Sequence, residues 1–374
     1  MKRIVITGAK GLIGWHAHAR LHAANCAAAF KGEPAPFNVV ALDHAAFDND
    51  AYLQAGINNS EAVIHFAGVN RAPDNEVELA NPAIACRLVE ACRIVGNSPH
   101  IIYANSTYAT TDTPYGRSKR IAGEILSQIG GGYTDMMLPH IFGECARPNY
   151  NNVTASFIKA VITGETPEIT PDGRVALLHA GDAAQAGIDA ILNNTDGPIW
   201  LETRNIAVTD LFLLLQKLHD VYIANTYPEF KDPFTVALFN SYRSALYPDG
   251  FPRPLKLNTD QRGTLFEAVR GGGCGQAFVS TTKPGVTRGN HFHINKVERF
   301  LVIQGEAKIR IRKVLSDKVW EYRVSGDEPA PVDIPTLHAH SIENIGDSDL
   351  LTLFWTNDLF DPAEPDTFFD KVLE

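Results

Sequence analysis

Sulfur chemistry is scarce in this chain. Five cysteines (Cys26, Cys86, Cys92, Cys145 and Cys274) are scattered over 374 residues, odd in number, with no C-x-x-C pair. That excludes a disulfide framework and leads us to expect reduced thiols and a cytoplasmic protein. Long apolar runs are also missing. None reaches the ~18 residues a spanning helix needs, so no membrane segment is expected. The N-terminal Ile4-Val-Ile run gives way at Thr7-Gly8, too soon for the apolar core of an export signal. There is no dense basic run, and the net charge is −10, which argues against a nucleic-acid partner. Internal repeats and low-complexity tracts are absent. With 45% hydrophobic and 20% charged residues, the composition is that of a globular protein long enough for two domains.

Residues 1–245 alternate short β-rich runs with longer helical patterns, which predicts a parallel α/β sheet. Strands are expected at Arg3–Thr7, Phe37–Leu42, Ala62–Phe66 and Ile101–Ala104, and a helix from Asn81 to Val95. Between Tyr227 and Pro254 the prolines Pro228, Pro233, Pro248, Pro252 and Pro254, with Gly250, predict broken structure and a domain boundary. Beyond it the period becomes two. Ala307-Lys-Ile-Arg-Ile-Arg-Lys-Val314 alternates apolar and basic, as a half-buried strand does. Several such runs, parted by Gln304-Gly305, Ser325-Gly326 and Ile345-Gly346, predict an all-β sandwich or barrel over residues 246–374.

The first domain opens with Thr7-Gly8-Ala-Lys-Gly11-Leu12-Ile13-Gly14, directly after a predicted strand and at the start of a helix. Glycines there let backbone approach a pyrophosphate, and the helix N-terminus favours its charge. Asp43, at the end of the second strand, is placed either to hold a ribose 2′-hydroxyl, favouring NAD over NADP, or to cap a turn. Tyr115 and Lys119 stand four apart on a predicted helix and so share a face. A free tyrosine has a pKa of ~10, and a neighbouring ammonium brings it toward working pH. Such a tyrosine can protonate a carbonyl oxygen as hydride arrives, with Ser106 or Thr107 bonding the same oxygen.

These residues resemble the extended short-chain dehydrogenase/reductase family, which includes nucleotide-sugar epimerases and dehydratases, over residues 1 to about 245. The resemblance implies that Gly8, Gly11, Leu12, Ile13, Gly14, Asp43, His65, Ala67, Gly68, Asn81 and Lys119 bind the cofactor. It also places Pro139-His-Ile-Phe-Gly143 near the nicotinamide and makes Ser106, Tyr115 and Lys119 catalytic. Only eight residues separate Ser106 from Tyr115, fewer than is usual in that family.

In the second domain His291 and His293 are two apart, so they share a strand face, and Glu298 follows a short polar stretch. His340, with His338 two residues before it, lies further on. Imidazoles plus a carboxylate suit Zn²⁺ or another first-row divalent ion. The spacing Gly285-x5-His291-x-His293-x4-Glu298-x6-Gly305, then Pro335-x4-His340-x3-Asn344, resembles the cupins. That implies a metal held by His291, His293, Glu298 and His340 in a jelly roll, although Leu337 stands where the second motif usually has Gly. Arg288-Gly-Asn-His291 and Asp260-x-Arg262-Gly263 also resemble the sugar 3,5-epimerase branch, in which the histidine is a base, so His291 is ambiguous between ligand and base.

The whole chain resembles a family of capsular polysaccharide synthesis enzymes that fuse these two modules. It does so through stretches such as Ala67-Gly-Val-Asn-Arg71, Pro148-Asn-Tyr-Asn151 and Val332-Asp-Ile-Pro335. The resemblance implies a UDP-linked 2-acetamido-2,6-dideoxy-4-ketohexose substrate, NADPH (with NADH an alternative, given Asp43), Zn²⁺ and a homodimer. The chemistry fits: a 4-ketone acidifies the C3 proton, and the same ketone accepts hydride afterwards. Arg71, Arg147 and Arg174 are candidate phosphate contacts. Two alternatives remain: a UDP-sugar epimerase with tightly held NAD and a barrel used for dimerisation or binding, and a dinucleotide-sensing regulator without turnover, which the Tyr115/Lys119 pair disfavours.

Overall fold

The structure is a computed structural model describing residues 1–271 and 275–373; Cys274 lies outside them. The elements run β1 (Lys2–Thr7), α1 (Leu12–Phe30), β2 (Phe37–Leu42), α2 (Asp50–Ile57), β3 (Ala62–His65), α3 (Asp74–Val95), β4 (His100–Ser106), α4 (Pro114–Leu126), β5 (Tyr133–Leu138), β6 (His140–Phe142), α5 (Val153–Thr163), β7 (Arg174–His179), α6 (Ala180–Asn193), β8 (Gly197–Trp200) and β9 (Arg204–Ala207). Next come α7 (Val208–Ile223), α8 (Pro233–Leu246), the hairpin β10 (Asn258–Asp260) and β11 (Gly263–Leu265), β12 (Gln276–Thr282), β13 (Thr287–Phe292), β14 (Glu298–Gln304), β15 (Glu306–Lys313), β16 (Val319–Ser325), β17 (Val332–Ile334), β18 (His338–Asn344), β19 (Leu350–Thr356) and β20 (Phe368–Phe369). Two compact units result, one of residues 1–156 and 169–209, the other of residues 157–168 and 210–374.

The first unit is a Rossmann-type doubly wound sheet of six parallel strands in the order β2-β1-β3-β4-β5-β8. Strand alternation sorts its apolar residues. Ile4 and Ile6 of β1 join Ala17, Leu21, Ala183 and Ile188 on one face, while Val5 joins Leu53, Leu88 and Ala122 on the other. The strand order reverses between β1 and β3, and the crevice beyond their carboxyl ends is where such sheets take ligands.

The second unit holds two antiparallel sheets, β12-β19-β14-β17 and β16-β15-β18-β13-β20, around one apolar core, as in a jelly roll. The alternation expected at Ala307–Val314 is present: Ala307, Ile309 and Ile311 are buried, and Lys308 and Arg310 pair with Glu321. Helices α7 and α8 belong to this unit as well. Asp333, 1% exposed, accepts hydrogen bonds from the hydroxyls of Tyr222 and Tyr227 and a bidentate pair from Arg299 at 2.7 and 2.9 Å. Arg243, fully buried, donates to Asn240 Oδ1 and to the Ile334 carbonyl.

Two element expectations need correction. The helix expected from Asn81 begins at Asp74 and runs through Pro82. Asp74 and Glu76 complement the dipole of its first turn, so Pro82 falls in the third turn rather than marking the start. The proline-rich stretch before Pro254 contains α8. Pro233 sits at its first turn, where a missing N–H costs nothing, and Asp232 Oδ1 caps it by accepting from Thr235 N at 2.7 Å.

Removing one member of a buried, hydrogen-bonded ion pair leaves the other charge uncompensated. Asp333→Ala is therefore expected to destabilise the second unit by about 3–5 kcal/mol, read as a lowered denaturant midpoint. A change under about 1 kcal/mol would show that Asp333 carries no such burden.

Candidate active sites

The first site sits at the carboxyl ends of β1, β3 and β4. Gly8 has φ +69, and a Cβ there would lie 2.6 Å from Ala67 N, so only glycine lets the turn pass under the β3 loop. At Gly14 a Cβ would meet Gly8 O at 2.2 Å. Gly11 occupies the N-cap position of α1 and brings no side-chain cap, and no acid stands in the first turn, so the N–H groups at Leu12 and Ile13 open an electropositive helix end. Ala67 and Gly68 follow β3, and a Cβ at Gly68 would touch Asn81 Oδ1 at 2.9 Å and Lys119 Nζ at 3.9 Å. Asn81 is a clamp. Its amide exchanges two 2.9 Å bonds with the Val69 backbone and donates to Ser118 Oγ, fixing this loop to α4. His65 is 1% exposed, bonded to Thr7 Oγ1 at 2.8 Å and stacked on Tyr103, so its ring is beneath the turn.

Asp43 caps a short turn by accepting from Ala45 N and also pairs with Lys10 Nζ at 2.6 Å, which holds its carboxyl below the usual range. The sequence reading missed Lys10, although it lies inside the glycine loop.

Ser106 ends β4 and accepts from Tyr108 N at 3.2 Å; Thr107 begins the turn that follows. Burial raises the Tyr115 pKa above its ordinary 10, with a hydrogen bond to Ser106 opposing. The expected lowering by Lys119 is not what this geometry gives. Burial pushes the Lys119 ammonium down to about 7, and it donates to the Ala104 carbonyl and lies 4.3 Å over the Tyr103 ring. Tyr115 is thus held as an acid, the form that can give up a proton. Of the candidate phosphate arginines, Arg71 bonds the Asn149 carbonyl at 2.7 Å, and Arg147 and Arg174 are exposed.

The second site is a cluster of His291, His293, Glu298 and His340, whose ligand atoms all lie within 4.8 Å of one another. His291, His293 and Glu298 line a cavity of about 530 Å³ walled also by Phe278, Arg288, Lys296 and Phe354. A bulge between Gly289 and His291 sets His291 against His340 across β13 and β18. Asn290 takes φ +60 there, and a Cβ at Gly289 would strike His340 O at 2.7 Å.

Tautomers follow from the acceptors. His293 Nδ1–H donates to the Asp366 carbonyl and His340 Nδ1–H to the His338 carbonyl, so each Nε2 faces Glu298 Oε2, at 3.2 and 3.1 Å, as a donor only in a protonated ring and as a lone pair for a metal in a neutral one. Burial opposes charge on Glu298, but His293 and His340 outweigh it and keep the carboxylate ionised. His340 Nε2, fully buried, faces Glu298 Oε2 but makes no well-formed hydrogen bond among the described residues. The two nitrogen–oxygen separations, 3.2 and 3.1 Å, are near the ~3.3 Å edge of a tetrahedral ion with ~2.0–2.1 Å bonds. The residues therefore fit a divalent metal.

Sequence reading missed the support for this cluster. Asp366 accepts N–H bonds from Ile294, Asn295 and Lys296, each at 2.9 Å, and so fixes the turn between His293 and Glu298. No spacing rule links residue 366 to this turn. His338 is outside the cluster, with its ring against Tyr247 at 4.7 Å. Asp260 and Arg262 pair with each other at 2.6 Å in the exposed hairpin and do not line the cavity.

Comparison with known proteins decides the lineage. Residues 4–201 match the NAD dependent epimerase/dehydratase family, and residues 258–368 match the polysaccharide biosynthesis C-terminal domain. The crystal structure of the capsular polysaccharide assembling protein CapF from Staphylococcus aureus is 31% identical. It aligns over 99% of this chain and 100% of that one, with a TM-score of 0.61. The chain belongs to the NAD dependent epimerase/dehydratase family, in the branch of CapF. A curated relative from Pseudomonas aeruginosa, 29% identical over 100% of this chain and 99% of its own length, is a UDP-2-acetamido-2,6-beta-L-arabino-hexul-4-ose reductase. A dTDP-4-dehydrorhamnose reductase from Bacillus anthracis, in complex with NADP, is 15% identical over 59% of this chain and 82% of its own. Its TM-score is 0.50, and it shares the fold of the first unit. This branch places the chain among nucleotide-sugar epimerases and reductases of polysaccharide biosynthesis.

Leu337, in place of the usual glycine, adopts φ +58 while 1% exposed, and its N–H donates to the His293 carbonyl at 2.7 Å. The left-handed conformation costs an L-residue about 1–2 kcal/mol. Comparison of the two truncations isolates that cost. Leu337→Gly is expected to be more stable than Leu337→Ala by about 1 kcal/mol, the reverse of the usual order. A less stable Leu337→Gly would contradict the strain.

Proposed function

We propose that the second unit epimerises C3 of a UDP-2-acetamido-2,6-dideoxy-4-ketohexose and that the first unit reduces its C4 ketone with NADPH. The product is UDP-2-acetamido-2,6-dideoxy-L-talose, a precursor of N-acetyl-L-fucosamine in capsule or O-antigen. The observation that carries this reading is that one chain holds both a Ser106/Tyr115/Lys119 set and an imidazole–carboxylate cavity, in a sequence similar end to end to a hexul-4-ose reductase. The organisation, as domains divided at 245/246 and working in a cytoplasmic homodimer, belongs to the same proposal, with residues 210–245 packing as part of the second unit.

In the barrel, His293, Glu298 and His340 would hold Zn²⁺, which when bound would polarise the 4-ketone or brace the site. His291 is the least buried member and opens on the cavity, which places it to take the C3 proton; it is also near enough to be a fourth ligand. Burial and its histidine neighbours hold its pKa well down and keep it neutral, the form in which a base must start. Arg288 and Lys296 bring positive charge to the same cavity, where a diphosphate is expected.

In the first unit the glycine turn and the α1 N-terminus hold the pyrophosphate, and Ala67, Gly68 and the Asn81 clamp shape the bed of the nicotinamide, which supplies hydride when bound. Ser106 orients the ketone oxygen and Tyr115 protonates it. Lys119 holds the nicotinamide ribose and, once drawn toward it, assists Tyr115.

Incubation with the 4-keto-6-deoxy sugar nucleotide in heavy water, without reduced cofactor, is expected to place deuterium at C3. Tyr115→Phe should keep that exchange and lose reduction by about 10²–10⁴-fold. His291→Asn should lose exchange, and its metal content separates base (retained) from ligand (diminished). Simultaneous loss of exchange and reduction in Tyr115→Phe would contradict the division of labour.

Cofactor choice rests on Lys10. Its exposed ammonium neutralises Asp43 and can turn to a 2′-phosphate, so NADPH is ranked before NADH. Lys10→Ala should raise KM for NADPH about tenfold with little change for NADH. Equal or better use of NADH by the native chain would reverse the ranking.

A further inference from the structure

Outside the residues assigned to either site, three residues distant in sequence meet inside the first unit. His16 projects from α1, Glu144 follows β6, and His179 ends β7 at the N-cap of α6. All are buried, at 0%, 1% and 7% exposure, and their ligand atoms lie within 4.8 Å of one another. His179 Nε2 is 2.8 Å from Glu144 Oε2, and His16 Nε2 is 3.5 Å from the same oxygen. Neither ring nitrogen of His16 makes a geometrically well-formed hydrogen bond among the described residues; only Glu144, by its carboxylate and its backbone, comes near. A buried imidazole left so is costly unless something else takes its lone pair.

We propose that His16, Glu144 and His179 are a second divalent-metal site, structural in role and of the two-imidazole, one-carboxylate kind that suits zinc. The ligand set is of the right chemistry. Its geometry is close: bonds of ~2.0–2.1 Å at tetrahedral angles put ligand atoms about 3.3 Å apart, and the distances here bracket that value. The protonation states agree, since burial holds His16 neutral, down to about 3, and its two histidines outweigh burial to keep Glu144 ionised. Arg20 is the competing charge. A Cβ at Gly181 would lie 2.3 Å from its guanidinium and 2.9 Å from the His179 ring, and its field depresses His16 further. An ion here must hold Glu144 against that guanidinium.

Burial of all three ligands argues against a substrate site and for a staple. The ion ties α1, which carries the glycine turn at its head, to the segment after β6 and to the start of α6. It closes chain loops between residues 16, 144 and 179, where a cross-link restricts the unfolded chain most. Gly143 permits the approach, because a Cβ there would lie 3.2 Å from His16 Nε2 and 2.9 Å from Ala180 Cβ.

The test is metal stoichiometry on the full chain, stripped with chelator and reloaded with Zn²⁺ alone, then with Co²⁺ for its visible bands. Glu144→Gln keeps the shape and the bond to His179, and His16→Gln keeps the polarity. Each is expected to bind one equivalent fewer than the native chain, so barrel occupancy cancels in the comparison. A chain with His293→Ala and His340→Ala together should retain one equivalent with nitrogen/oxygen-type Co²⁺ bands; this arm decides even where a first-unit variant fails to fold by circular dichroism. Equal stoichiometry in the native chain and both first-unit variants, or no ion kept by the barrel double variant, overturns the site.

Discussion

The register of β14 is the constraint on which the second site rests. Glu298 and Arg299 are neighbours, so the pleat aims them at opposite faces. Arg299 stands directly across from Asp333 of β17, and the two make a buried bidentate pair to which Tyr222 and Tyr227 add their hydroxyls. Glu298 is thereby turned toward His293 and His340. A slip of one residue would drive the guanidinium into the cavity and the carboxylate out of it. Charge burial is costly on both faces, and each charge is answered: Asp333 by Arg299, and Glu298 by imidazoles whose outer nitrogens are committed to backbone carbonyls. The pair across β14 and β17 therefore positions a residue it never touches.

The first unit relies on close backbone approach more than on charge. Gly8 slides under Phe66 and Ala67, Gly14 crowds Gly8, and Gly68 leaves room for the Asn81 clamp and Lys119. Ser106, Tyr115 and Lys119 are then brought by β4 and α4. Their burial sets the chemistry: Tyr115 remains an acid, and Lys119 is poised near neutrality, where small changes in its surroundings alter its charge. In the second cluster the same logic appears with different residues, because an ionised Glu298 among imidazoles is a ready set of metal donors.

Motifs whose residues are close in sequence were legible before any coordinates. The glycine turn, the Tyr115/Lys119 pair and the His291/His293/Glu298 run each lie within one turn, helix or strand pair, and local periodicity is enough to see them. Period-two burial in β15 was legible for the same reason. Helix limits were not. Pro82 is carried within α3, and Pro233 starts α8 rather than interrupting the chain, because a proline is judged by its place in a helix and not by its presence. The raised Tyr115 pKa was likewise beyond reach, since it depends on burial and on where the Lys119 ammonium is engaged.

The sequence by itself determined the two architectures and the family, and brought forward the candidate site residues, because periodicity and motif spacing are properties of neighbouring residues. Only the tertiary structure decided that Lys10 neutralises Asp43, that Asp366 anchors the turn before Glu298, that Arg299 finds Asp333, and that His16, Glu144 and His179 meet. Each of those contacts joins residues tens to over a hundred positions apart, and strand pairing and helix packing alone bring them within bonding distance.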